Sequence, residues 1–118
     1  MIIRRMNPAD IPDIVRLWNN SVRAGEVVYR PIDEAYFNAK FLCSSGYYPE
    51  LSLVAEQEGV VVGYINGTMK REFLRGQTHD NTPGCLTVIF VDAAFRGKGI
   101  GSDLLKTLED NARIQPYV

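Results

Sequence analysis

Cysteine is scarce in this chain of 118 residues: the two present, Cys43 and Cys85, lie far apart and lack the close spacing of a metal site. Neither a disulfide framework nor a cysteine-ligated metal is expected, and both residues read as reduced, buried thiols packing as small hydrophobes. An excess of charge of one sign is also missing. Thirteen Lys and Arg face fourteen Asp and Glu, for a net charge of −1, so no overall field draws the chain to nucleic acid or to an anionic membrane surface. No eighteen-residue apolar stretch occurs, and the opening "MIIRRMNPADIPDIV" has no apolar core long enough for an export signal. A cytoplasmic protein is expected. Repeats, linkers and low-complexity tracts are absent too. With 46% apolar and 23% charged residues, positions 1–118 suit one domain with one modest core.

What is present is a regular alternation of patterns. "IIRRM" predicts a short strand, and Asn7-Pro8 or Asp10, with Asp13 three residues beyond the latter, supplies helix-start signals. Ile11, Ile14, Val15, Trp18 and Val22 then recur at three- and four-residue steps on one helix face, with Trp18 in the core. "IDEAYFNAKFL" resumes that spacing through Ile32, Tyr36, Phe37 and Phe41. "LSLVAEQ" and "VVVGYINGTMK" flank Glu58-Gly59, where glycine at the second turn position permits a tight hairpin. Gly63 and Gly67 interrupt the second of these strands and mark a bulge or a close approach of another element. A loop closed by Pro83-Gly84 leads to "CLTVIFV", a β-branched and aromatic strand. Leu104, Leu105, Leu108 and Ala112 form the apolar stripe of a last helix. The order is β-α-α-β-β-β-α, an α+β (mixed α/β) domain.

Between the last strand and the last helix stands "RGKGIG". The first turn of a helix has N–H groups without intrahelical partners, and glycines let such groups converge without Cβ atoms that would hold a phosphate away. The helix dipole adds about 0.3–1 kcal/mol. A small phosphate-bearing anion is the expected ligand. The P-loop is excluded, because Lys98 stands between glycines with no Ser or Thr following it. The dinucleotide fingerprint is excluded as well: Gly97, Gly99 and Gly101 are each two apart, and position 102 is serine.

The stretch resembles the acyl-CoA loop of the GNAT N-acetyltransferase superfamily, [QR]-x-x-G-x-[GA], through Arg96, Gly99 and Gly101. Upstream, "IFVDAAFRGKGIG" is similar to that family's V-x-P-x-[YF]-R-G-x-G-x-G, with Val91, Phe95 and Arg96 in place and Ala93 where proline is usual. The resemblance runs over essentially the whole chain. It implies a GNAT-like fold that ends before a fifth strand, with acetyl-CoA as co-substrate and no metal. It implies that main-chain N–H groups from Gly97 to Ser102, including Lys98, Ile100 and Gly101, hold the CoA diphosphate. It also implies that the pantetheine arm runs beside main-chain groups of Ile89, Phe90 and Val91. Arg96 and Lys98 either assist by charge or are solvated cations at a helix start.

The reaction so implied is acyl transfer to the amine of a small molecule or peptide, with a base taking the amine proton and an acid, often a tyrosine on a helix after a fifth strand, protonating the thiolate. "NARIQPYV" ends the chain ahead of both elements. An exposed fourth-strand edge, a route to homo-oligomers, is therefore expected. A non-catalytic CoA-binding half of a larger protein is the alternative, and a domain for another phosphate ligand is a third. No catalytic residue is assigned: Glu72 and His79, the latter beside Asp80, are candidates for a base, Glu72 also readable as an ordinary surface carboxylate and His79 as part of a polar loop. Tyr29, Tyr36, Tyr47 and Tyr48 read as packing residues ahead of an amine pocket, and Asp10 and Asp13 as caps.

Overall fold

A computed structural model describes residues 1–25, 30–42, 49–68 and 85–114. Four strands pair in chain order, each antiparallel to the next: β1 (Ile2–Arg5), β2 (Ser52–Gln57), β3 (Val60–Thr68) and β4 (Cys85–Val91). The hairpin between β2 and β3 turns on two residues in the left-handed region, Glu58 (φ 52°) and Gly59 (φ 81°), the combination a two-residue primed turn requires. Two helices, α1 (Ile11–Arg23) and α2 (Glu34–Phe37), cover one face of the sheet, and α3 (Ile100–Ile114) covers the other. The order and mixed architecture are those the sequence predicts. Beyond Phe37 the second helix widens into a π turn over Asn38–Leu42.

The layers differ in chemistry. Trp18, Phe37, Phe41, Tyr64 and Phe90 make the α1–α2 layer aromatic, with Phe37 stacked on Phe41 at 4.8 Å and Trp18 against Phe90 at 5.1 Å. The α3 layer is aliphatic, built on Leu53, Val62, Ile65, Ile100, Leu104 and Leu108. Tyr36 departs from expectation: it is 49% exposed, because Phe37 and Phe41 set the buried stripe and position 36 lies a step round the helix from it. Leu105 is likewise exposed, beside the buried Leu104 and Leu108.

Both interrupting glycines of β3 sit at ladder irregularities. The register slips so that Ala55 faces Gly63 while Glu56 faces Val61. Val62 is the extra residue, and it joins the α3 layer next to Gly63. A Cβ on Gly63 would lie 3.0 Å from Leu104 Cδ1 and 3.2 Å from Ile100 Cγ2. Its bare Cα thus lets α3 settle on the sheet. A second slip falls between Asn66 and Gly67.

The start of α1 corrects the expected capping. Asn7 caps a short turn over Pro8–Asp10, its Oδ1 accepting the Ala9 N–H, and the Asn7 N–H donates back to Asp10 Oδ2 at 2.8 Å. Asp10 occupies the N-cap position of α1 without a side-chain cap of its own. Its carboxylate instead accepts two bonds from Arg4, at 2.8 and 2.9 Å, and Arg4 also reaches Glu56. Burial pushes the Asp10 carboxyl up, but the Arg4 hydrogen bonds, the Asn7 N–H and the Arg4 charge outweigh it and hold it below the ordinary carboxylate value. A depressed folded-state pKa contributes stability that is present above the unfolded value and lost as pH falls through the folded one. Asp10→Asn is therefore expected to cost about 1–3 kcal/mol at pH 7, with the gap to wild type narrowing below about pH 4, as urea denaturation at pH 7 and pH 3 would measure.

Candidate functional site: a glycine loop beside an edge strand

β4 leads into a short turn over Ala93–Phe95, the glycine loop and then α3. Asp92 organises this exit. Its N–H donates to the Val62 carbonyl at 2.8 Å, and its Oδ1 accepts the Ala94 N–H at 2.9 Å, capping the turn. Its Oδ2 accepts from Arg16 of α1 at 3.3 Å, while Arg16 also donates to the Val61 carbonyl at 3.1 Å. Asp92 thus joins α1 and the turn that aims the loop through its carboxylate, and the β3 bulge through its N–H.

Gly97 and Gly99 both adopt φ +80°, where a side chain is strained, and a Cβ at either would have nothing within 4 Å. The space above these residues is open. The first main-chain bond of the last helix runs from the Asp103 N–H to the Gly99 carbonyl at 2.9 Å. The N–H groups of Ile100, Gly101 and Ser102 therefore precede the helical ladder, in the arrangement that suits an anion. Ile100 itself is buried in the α3 layer and fixes that first turn. Around the loop lies a pocket of about 510 Å³, whose walls run from the loop along residues 89–91 to Ser21 of α1.

Register decides which strand groups face this pocket. Since the Asp92 N–H pairs with Val62, the alternation of an antiparallel ladder makes Tyr64–Phe90 the next hydrogen-bonded pair. The N–H and C=O groups of Ile89 and Val91 point to the edge of β4 that pairs with no other described strand, whereas those of Phe90 turn to β3. The Val91 carbonyl accepts from Arg96 Nε and Nη2, both at 3.2 Å, and Lys98 Nζ lies 5.3 Å from the centre of the Phe95 ring. Both side chains are exposed cations held against the protein.

Of the predicted site residues, the structure brings together Ile89, Phe90, Val91, Arg96, Gly97, Gly99, Ile100, Gly101 and Ser102 around one pocket, with Lys98 in the loop. Glu72, His79, Asp80, Tyr29, Tyr47, Tyr48, Cys43 and the Cys85 side chain lie outside the described residues. Among the described residues no group of acidic, histidine or cysteine side chains is placed to hold a metal ion, and no helix is long and apolar enough to cross a membrane. Sequence reasoning missed Ser21 and the Arg16–Asp92 pair. For Ser21 a signal existed: a polar residue one turn beyond Leu17 and Trp18, on the apolar face of α1.

Fold and site define a class: an antiparallel sheet between helical layers, with a glycine loop opening onto a pocket beside an edge strand. The acetyltransferase (GNAT) family profile matches residues 14–115, and the chain belongs to that family. It is 33% identical over 100 residues to the L-2,4-diaminobutyric acid acetyltransferase of Virgibacillus pantothenticus, covering 81% of this chain and 57% of that protein. The chain thus spans a little over half the length of this relative. A ribosomal-protein-alanine N-acetyltransferase from Brucella melitensis superposes with a TM-score of 0.71 at 28% identity, over 96% of this chain and 67% of that one. The yncA protein of Salmonella typhimurium, solved with its cofactor acetyl-CoA, superposes at 0.67 with 29% identity, over 96% of this chain and 63% of that one.

Proposed function

We propose that this chain binds acetyl-CoA and transfers its acetyl group to a primary amine on a small molecule or peptide. The observation that carries the reading is the run of N–H groups at Ile100, Gly101 and Ser102, facing glycine-cleared space beside the β4 edge at Ile89 and Val91. That arrangement offers donors to a diphosphate and, next to them, a strand edge to an extended amide-bearing arm. The diaminobutyrate and ribosomal-protein relatives act on amines of both sizes, as their names state.

In the reaction the amine nitrogen adds to the thioester carbonyl, the C–S bond breaks, the nitrogen gives up a proton and the thiolate takes one. Glu72 and His79 are candidates for proton removal, and no catalytic residue is assigned. The cytosol is the proposed compartment.

Calorimetric titration with CoA, acetyl-CoA and ATP tests the reading. One site for CoA and acetyl-CoA is expected, with ATP competing weakly because it brings phosphate but no arm. Binding of neither CoA nor acetyl-CoA would overturn it. Thiol release from acetyl-CoA across a panel of amines then reads turnover separately from binding.

A further inference from the structure

Ser21 is a polar residue in an apolar position. It is 5% exposed, lies on the buried face of α1 with Ile14, Leu17 and Trp18, and lines the pocket. Most mid-helix hydroxyls that lack another partner bond back to a carbonyl one turn earlier, as Thr107 does to Asp103 at 2.8 Å. Ser21 makes no such bond, nor any other side-chain hydrogen bond among the described residues. Among the pocket-lining residues outside the loop, Ser21, Ile89, Phe90, Val91 and Phe95, it alone carries a polar side chain. The hydroxyl opens onto the pocket with its bonding capacity unused by the protein, so a ligand that replaces pocket water there meets a ready donor.

Its height along the strand identifies what that would be. α1 runs antiparallel to β4: Arg16 contacts Asp92, and Trp18 packs on Phe90. From Arg16 to Ser21 the helix rises about 7.5 Å, or between two and three strand residues at about 3.3 Å each. Ser21 therefore stands level with Ile89 and Phe90, at the far end of the pocket from the N–H groups of Ile100 to Ser102. A ligand held by its diphosphate at those N–H groups and laid along the Val91–Ile89 edge presents its thioester end toward Ser21.

We propose that the Ser21 hydroxyl donates a hydrogen bond to the acyl carbonyl oxygen of bound acetyl-CoA. This rests on the acetyl-CoA reading above and adds to it a residue that recognises the acyl group. As the amine adds, the carbonyl oxygen gains negative charge and the bond strengthens. When the C–S bond breaks, that charge passes to sulfur and the new amide carbonyl remains bonded until the product leaves.

The test is calorimetric titration of the whole chain, wild type and Ser21→Ala, with acetyl-CoA and with CoA, which lacks the acyl carbonyl. Alanine is the better helix former, so folding is not at issue. Acetyl-CoA is expected to bind roughly 3- to 10-fold more weakly to Ser21→Ala, with CoA changed by less than about twofold. Ser21→Cys, of similar size but a weak donor, is expected to fall between. Equal loss for both ligands, or loss for neither, overturns the proposal while leaving the acetyl-CoA reading standing. Absence of binding to wild type overturns both.

Discussion

Gly99→Glu is expected to abolish measurable CoA binding, a loss of at least about 100-fold, or about 2.7 kcal/mol, while the domain stays folded. Gly99 sits at φ +80° with open space where a Cβ would project. A Cβ there meets no protein atom within 4 Å, and the backbone strain costs about 1–3 kcal/mol. Set against the typical 5–15 kcal/mol of a domain, that leaves the fold intact. The damage falls on the ligand, because the open space is where a diphosphate would meet the N–H groups, and the variant fills it with bulk and negative charge. Gly101→Ala is the matched control. Its Cβ would meet Val91 and Ile89 side chains at 3.7 and 3.8 Å, ordinary contact, in a helical residue without positive φ. Folding and binding are expected to survive it. Titration of both variants with CoA, alongside thermal melts, separates the effects. Equal binding by Gly99→Glu and wild type would remove the site.

Gly63→Val is expected to destabilise the domain by crowding α3 against the sheet. The Cβ would stand 3.0 Å from Leu104, 3.2 Å from Ile100 and 3.4 Å from Ala55. Leu104 is fully buried and has little room to retreat, and valine's two methyls add to the crowding. Overpacking of this kind costs about 1–3 kcal/mol, or roughly 5–15 °C in melting temperature for a domain of this size. Part of the cost is functional. Ile100 begins α3, so a helix lifted off β3 carries the N–H groups of its first turn away from the Val91 edge. Gly63→Val is expected to weaken CoA binding even at temperatures where it is fully folded. An unchanged affinity would show that α3 moves as a unit without disturbing the loop.

How much of this was legible beforehand depended on whether the controlling contact is local. The Glu58-Gly59 turn, the α1 stripe and the glycine loop are written in neighbouring residues, and the structure has them where their spacing predicts. Gly63 was legible as an oddity, a missing side chain in a strand, but only packing reveals that α3 fills the gap. Asp10 looked like a cap. Its carboxylate goes to the Arg4 guanidinium and the Asn7 N–H, and β1–β2 pairing holds Arg4 within reach of Glu56 as well. Phe90 was grouped with Ile89 and Val91, and only ladder parity, set by Asp92 and Val62 from different strands, separates its main chain from theirs. Tyr36 and Leu105 satisfy helical spacing loosely, and the final choice of face belongs to the residues that touch the sheet. Ser21 had a local signal, but its meaning needed the pocket.

The aromatic and aliphatic layers also make the molecule optically lopsided. Its one tryptophan, Trp18, lies against Phe90 and Phe41 on the α1–α2 side. Indole emission therefore watches that side alone, whereas helical ellipticity sums α1 and α3 on both sides. If heating separates the two layers, the two signals will melt at different temperatures.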